Sequence, residues 1–402
     1  MADTERNPKG TAFKSYEVVG KKTDMTDFIT NLDPDRTLLT NKFGRCTVTS
    51  TKHEWLSDSI RPAMVNAHEE VMDFNTVKPI PRRRMDNYCQ QLMHGYNVSD
   101  VTQAIKKYGV RDEMSYQMVK AGKELAGDLE LALCRNKTKA LFADGEKGLM
   151  GGIPYFLEDE KTPSAVTSNK VTSSDHGLVT GDAIIFVGGT GGDVKPNRHY
   201  YVAVVDKDNF YAFSTPEGAM AETAKKGTGA VNPGTGGTYT FQNLIDADKA
   251  ESKGALSFDM LNDAMQLAWE RGGNIDIAVM SGRNKRNCAQ FDQGIVKTRP
   301  MQTKDIVETI DVIETDFGSI ELVAHRMYDD DVVDLLELQY WKLGFLIPLH
   351  MEEIPRTGTY REKLLTGVCT LECTAPNSSA RIRGLKGTVE TKPLKVETVT
   401  KK

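Results

Sequence analysis

One segment restricts what this chain can become more than any other. From Asp112 to Asn136, Met114, Met118, Ala121, Leu125, Leu129 and Leu133 recur every three or four residues, acids open the segment, and Arg135, Lys137 and Lys139 close it. This spacing predicts one amphipathic helix with charges matched to its two ends. Its 25 residues extend about 38 Å. An apolar stripe of that length needs a sheet or other helices along it.

Strand-forming segments supply such a partner, so the class is α+β. From Lys304 to Leu385, "IVETIDVIETD", a tight turn "FGS", "IELVAH", "VVDLLELQYWKLGFLIPL" and "KLLTGVCTLECT" follow one another. Between Ser257 and Arg271, Phe258, Leu261, Met265, Ala268 and Trp269 share a helical face, and "IDIAVM" after "GGN" reads as a buried strand. Thr47 to Asp58 and Arg82 to Val98 favour strands yet are polar on both faces, with a long Pro-bounded tip between them. They read as a long hairpin. A lone two-stranded hairpin is marginal in water, so it must rest on another surface.

Three segments differ in character. Residues 1–45 have no sustained period and hold eight Lys or Arg against seven Asp or Glu, which describes a charge-balanced extended arm with at most a short helix near Met25 to Leu32. Pro163 to Leu244 is rich in Gly, Thr and Val, with short strands ("AIIFVGG", "HYYVAVVD", "NFYAFST") between glycine turns, as in a small β-domain inserted in a loop. Such a module should fold separately, and a short linker should be able to replace it. Residues 386–402 carry five lysines and two glutamates with little to bury, and are expected to be a loose tail.

Length permits two or three domains, and 39% hydrophobic with 27% charged residues is ordinary globular usage. There is no apolar run of bilayer length, so no membrane partner is expected. The start, "MADTERNPKG", lacks the order of a secretion signal, which predicts retention in the cytosol. The six cysteines form no C-x-x-C pair and read as reduced thiols, with Cys369 and Cys373 packing on one strand face. A net charge of −5 argues against a generally polyanion-binding surface.

Motifs that suggest chemistry fail on spacing. His53-Glu54 lacks the second histidine of H-E-x-x-H. "FVGGTGGD" lacks the Gly-Lys-Ser/Thr of a phosphate loop and enters no helix, and "YDDDVVD" lacks the glycine and spacing of a calcium loop. Seven scattered histidines and no G-x-S-x-G elbow leave no catalytic residue, cofactor or metal ligand to name.

The order of the pieces resembles a known family. "K-H-E-W-L-S-D-S", "N-Y-C-Q", "R-D-E-M-S-Y-Q-M-V-K-A-G-K-E-L-A-G-D-L-E-L-A-L", "G-G-I-P", "A-W-E-R-G-G-N" and "R-T-G-T-Y-R-E-K-L-L" look like the major capsid proteins of tailed phages, with a Hong Kong 97-like fold. The resemblance implies an N-terminal arm (1–45), an extended loop (46–98), a spine helix (99–139), and an axial domain (140–162 and 245–303). It also implies a peripheral sheet with adjoining axial strands (304–385), with the inserted β-barrel-like domain at 163–244. Implied function is a structural subunit forming hexamers and pentamers of an icosahedral head around double-stranded DNA, bound without sequence specificity. Portal and decoration or scaffold proteins would be further partners, and the mature protein would sit in the virion after assembly in the host cytoplasm. An encapsulin-type nanocompartment shell and a cytosolic enzyme with a β-module are the alternatives. For the hairpin, the resemblance supplies a neighbouring subunit as its surface. Trp55 and the run Arg82, Arg83, Arg84 are accordingly expected to act between subunits, since interfaces favour Trp and Arg at their centres.

Overall fold

The amphipathic segment forms one helix, Glu113–Arg135, in the computed structural model of the chain, which describes residues 37–58, 60, 62, 63, 67, 70, 71, 82–107, 110, 112–221, 223–248, 254–289, 291, 312–356 and 358–386. The Asp112 carboxylate accepts the Met114 N–H and so satisfies one of the first-turn donors. Ala121, Leu125, Leu129 and Leu133 are buried as the period requires, while Met118 remains 43% exposed.

This spine helix packs on a four-stranded sheet ordered Gly44–Thr47, Trp341–Ile354, Tyr360–Cys373, Gln90–Ser99. The first strand runs parallel to its neighbour and the other pairings are antiparallel. The long hairpin read from the sequence is therefore shorter than expected. Among the described residues, Lys52–Ser57 and Arg83–Tyr88 are the stretches that pair with each other. After Cys89, whose N–H donates to the Thr51 carbonyl, the chain leaves the hairpin and joins the sheet.

Residues 37–45 likewise do not continue an extended arm. Leu38–Lys42 is a short helix, Leu39 is fully buried, and the Phe43 ring stacks on Trp341 at 5.8 Å. Three large apolar side chains within six residues give this stretch a place in the core. The helix expected near Met25–Leu32, the tail 387–402 and most of the hairpin tip lie outside the described residues.

A second, six-stranded sheet is ordered Asn243–Asp246, Ala380–Arg383, Val333–Leu336, Ile277–Met280, Gly318–Ala324, Val312–Thr315. The apolar run beginning at Val332 thus divides between two sheets, with Leu338–Tyr340 turning the chain from one into the other. Ile277–Met280 is buried throughout because both of its faces are covered. Ala278 and Met280 pack in the core under the helix Phe258–Glu270, and Ile277 and Val279 join the core of the spine helix. A strand so enclosed reads as an unbroken apolar run. Trp269, expected on the buried face of Phe258–Glu270, is 58% exposed and rests against Phe317 instead.

The third sheet is antiparallel, with seven strands between Glu160 and Thr240, close to the segment marked out by composition. Asn243 and Leu244 belong to the six-stranded sheet instead. Within Ala183–Val187, alternation sends Ile184 and Phe186 into the module's own core and Ile185 and Val187 into the core under Phe258–Glu270. The module is thus packed onto the body of the subunit.

Candidate interaction surfaces

The short hairpin has an apolar face, which its sequence did not suggest. Burial alternates along Lys52–Ser57, with His53, Trp55 and Ser57 turned inward. The Trp55 indole N–H donates to the Cys373 carbonyl at 3.0 Å, and its ring lies 6.0 Å from Phe156. Met85 joins the same cluster from the opposite strand. Two residues are too few to register as a pattern, and both meet their own subunit's core. Trp55 thus has a partner within its chain, contrary to the expectation that it acts only between chains.

The arginine run separates in the same way. Arg83 donates to the carboxylate of Asp182 in the β-module, and its guanidinium lies 4.2 Å from the Phe241 ring. Phe241 is also 5.2 Å from the guanidinium of Arg271, which donates to the carbonyls of Ala183, at 2.6 Å, and of Phe241 itself. Burial raises the Asp182 carboxyl above its usual range, against the opposing pull of Arg83. The Arg83–Asp182 pair therefore fastens the hairpin to the module. Arg82 and Arg84 point to solvent, with side chains 68% and 71% exposed, pairing with Asp58 at 3.3 Å and Glu54 at 3.6 Å.

Among the described residues, a further surface has no cover. Trp341–Ile354 and Tyr360–Cys373 are 14 residues each, and the core covers only the Trp341 and Cys373 ends. Beyond Phe345 the first strand becomes exposed, leaving Ile347, Leu349 and Met351 at 44%, 41% and 36% and the nearby Met93 at 63%. The register places Ile347 and Met93 on one face of this sheet end and Met351 on the other, so apolar side chains flank it on both sides.

Among the described residues, two groups combine cysteine, histidine and glutamate. In the first, His325 Nε2 donates to Glu130 at 3.0 Å and Cys134 Sγ lies 4.0 Å from His325 Nδ1. The pattern resembles an activated nucleophile. Nδ1, however, accepts the Met327 N–H, and burial holds the Cys134 thiol well above its ordinary value, so the imidazole has no free site to act as its base. In the second, Cys46, His53 and Glu372 meet at the hairpin root, with His53 Nε2 3.0 Å from Glu372 Oε2. No spacing in the sequence announces either group, because each is assembled from segments far apart in the chain.

Helix on sheet, a protruding sheet end and a hairpin laid over the body define a protein of the phage-capsid class. Two solved capsids share the architecture: that of a native GTA particle (TM-score 0.51, 9% identity, 96% of this chain and 100% of that one) and that of cyanophage A-1(L) (TM-score 0.51, 12% identity, 92% and 98%). The chain belongs to the SU10 major capsid protein family, whose pattern it matches over residues 7–386. It is also 24% identical over 361 residues to the major capsid protein of Escherichia phage Phieco32, covering 88% of this chain and 92% of that protein. It is a phage major capsid protein and a virion component.

Proposed function

We propose that copies of this chain associate as hexamers and pentamers into an icosahedral, Hong Kong 97-like head that encloses double-stranded DNA. The observation that carries this reading is the apolar end of the four-stranded sheet, where Ile347, Leu349 and Met351 lie outside their own core. A second copy is the fitting occupant, because closed shells are built from repeated contacts between identical subunits. Arg82 and Arg84, pointing outward from the hairpin, would reach neighbouring copies, while Trp55 and Arg83 hold the hairpin that presents them. Residues 160–241 serve as an inserted domain, slightly shifted from 163–244 because Asn243 and Leu244 pair in the six-stranded sheet. DNA is met on the inner face without sequence preference, and portal and decoration or scaffold proteins complete the particle during assembly in the host cytoplasm.

Electron microscopy and size-exclusion chromatography of the purified full chain under assembly conditions test the reading. Closed shells with five- and six-fold capsomers are expected. A compact monomer persisting at high concentration would refute it.

A further inference from the structure

We propose that Cys46, His53 and Glu372 bind a divalent transition metal of the zinc class, which ties the root of the hairpin to the four-stranded sheet. One thiol sulfur, one imidazole nitrogen and one carboxylate oxygen lie within 4.8 Å of one another. They come from three separate strands, Gly44–Thr47, Lys52–Ser57 and Tyr360–Cys373. A metal here would link the chain entering the hairpin, the hairpin itself and the sheet beneath.

The donor set selects the metal. Thiolate, imidazole and carboxylate together suit zinc and its neighbours, whereas calcium and magnesium take oxygen ligands. Three protein ligands leave a fourth tetrahedral position for water or another donor. Access is open, since Cys46 and His53 are only partly buried while Glu372 is 7% exposed. Charge also balances: one thiolate and one carboxylate neutralise a dication, which a half-buried cation requires.

Without metal, Glu372 accepts a hydrogen bond from His53 at 3.0 Å, and burial together with the nearby Glu372 carboxylate pushes the Cys46 thiol up to about 12. Metal entry exchanges this bond and the S–H for coordination, which offsets the cost of removing the thiol proton. The Cys46 S–H proton leaves to solvent, the sulfur pair bonds the metal, and the imidazole proton moves from Nε2 to Nδ1 so that Nε2 can coordinate. Lys342, 3.8 Å from the Glu372 carboxylate, opposes a cation, but its side chain is 38% exposed and has water to turn into. The competing reading is an ordinary His–Glu pair beside a thiol. It uses the same atoms and binds no metal.

Cobalt(II) is the probe. Metal-free full-length protein, both unassembled and as shells, should give tetrahedral d–d bands and a thiolate-to-cobalt charge-transfer band saturating at one ion per subunit and displaced by zinc. Cys46 is the one cysteine of the six that is not fully buried, so its alkylation by iodoacetamide is separately measurable by peptide mapping. Stoichiometric zinc should slow that alkylation about tenfold or more at a pH of about 9, because coordination occupies the sulfur pair that the reagent attacks. Cys46→Ser should abolish the charge-transfer band, and Glu372→Gln should weaken cobalt binding by at least about tenfold. Should a variant fail to fold, the protection measured on the unaltered protein still decides. No cobalt spectrum, or a spectrum without the charge-transfer band, together with unprotected Cys46, overturns the proposal in favour of the ion pair.

Discussion

The Glu130 carboxylate, on the buried face of the spine helix, accepts the backbone N–H of Leu39 at 2.5 Å and so pins the short helix Leu38–Lys42 to the longest helix in the fold. The same carboxylate accepts the N–H of Thr40 at 3.0 Å, its hydroxyl at 2.5 Å and His325 Nε2 at 3.0 Å. Thr37, at the N-cap position, makes no side-chain capping bond, so Glu130 supplies from a distance what a local cap would. Burial pushes the Glu130 carboxyl up, but these donors outweigh it and hold the group below its ordinary 4.5.

Glu130→Gln should therefore destabilise the unassembled subunit by about 3 kcal/mol, since an amide sets an NH2 against donors that need an acceptor. The pH dependence has a definite sign. A depressed carboxylate contributes its full stability above the unfolded value, near 4.5, and loses it as pH falls through the lower folded value. Denaturant titrations of wild type and variant should differ by a constant amount from pH 5 to 8 and converge below pH 4.5. A difference that grew on acidification would refute the assignment.

Arg83→Ala should lower subunit stability by about 1–3 kcal/mol, because it leaves the mostly buried Asp182 without its main cation. Arg82→Ala and Arg84→Ala should leave subunit melting unchanged, as both pairs are exposed. Calorimetry of the three variants separates the run into one internal and two external residues. Equal, negligible effects would place all three outside the subunit's own contacts.

For Trp55, two substitutions divide packing from hydrogen bonding. Trp55→Phe keeps a ring against Phe156 but loses the bond to the Cys373 carbonyl, and should cost about 1 kcal/mol. Trp55→Ala should cost about 2–4 kcal/mol, slightly under a fully buried tryptophan because this one is half-buried. If urea unfolding gave neither loss, the indole would have no structural role in the isolated subunit.

How much of this could be read in the sequence follows the range of the signal. The spine helix was legible because its period repeats over six turns, and the strand Ile277–Met280 because four consecutive apolar residues need cover on both faces. Motif glycines were visible as motifs but not as constraints. A Cβ on Gly152 of "GGIP" would lie 2.6 Å from the carbonyl oxygens of Ala132 and Leu133, and one on Gly273 of "ERGGN" 2.6 Å from that of Ser378. The hairpin's seat depended on one tryptophan and one methionine, and Arg83–Asp182 and Glu130–Leu39 join positions 99 and 91 residues apart. No local period encodes contacts of that kind.

Ile347→Lys should test the protruding sheet end. The side chain is 44% exposed, so the isolated subunit should lose less than about 1 kcal/mol. Shell yield should nevertheless fall sharply, because a small loss at each contact is repeated across every copy. Melting of the subunit and light scattering of the assembly reaction, measured on one preparation, distinguish the two effects. Normal shells from this variant would mean that a different face joins the copies.

Excising the β-module should cost more than its composition suggests. Its ends are neighbours, with Lys161 opposite Tyr239 in antiparallel register, and its own core of Val202, Phe210 and Tyr239 should let the isolated segment 160–241 unfold cooperatively. Yet Ile185 and Val187 are 1% and 5% exposed in the core that also holds Met260, Ala264 and Leu267. Polar contacts cross the same boundary: His199 Nε2–H donates to the Leu267 carbonyl at 3.0 Å, and Asn197 donates to Asp263 at 3.1 Å. Replacing 163–237 with a Gly-Ser linker would uncover that side of the helix Phe258–Glu270 and leave Arg83 without Asp182. Re-exposing roughly 200 Å² of apolar surface corresponds to about 5 kcal/mol. Denaturant unfolding of the excised and full chains, with circular dichroism of the isolated segment, decides the matter. An excised subunit as stable as the full chain would make the module a tethered ornament, as its turn-rich sequence suggests, whereas a soluble module and a weakened body would establish a shared core.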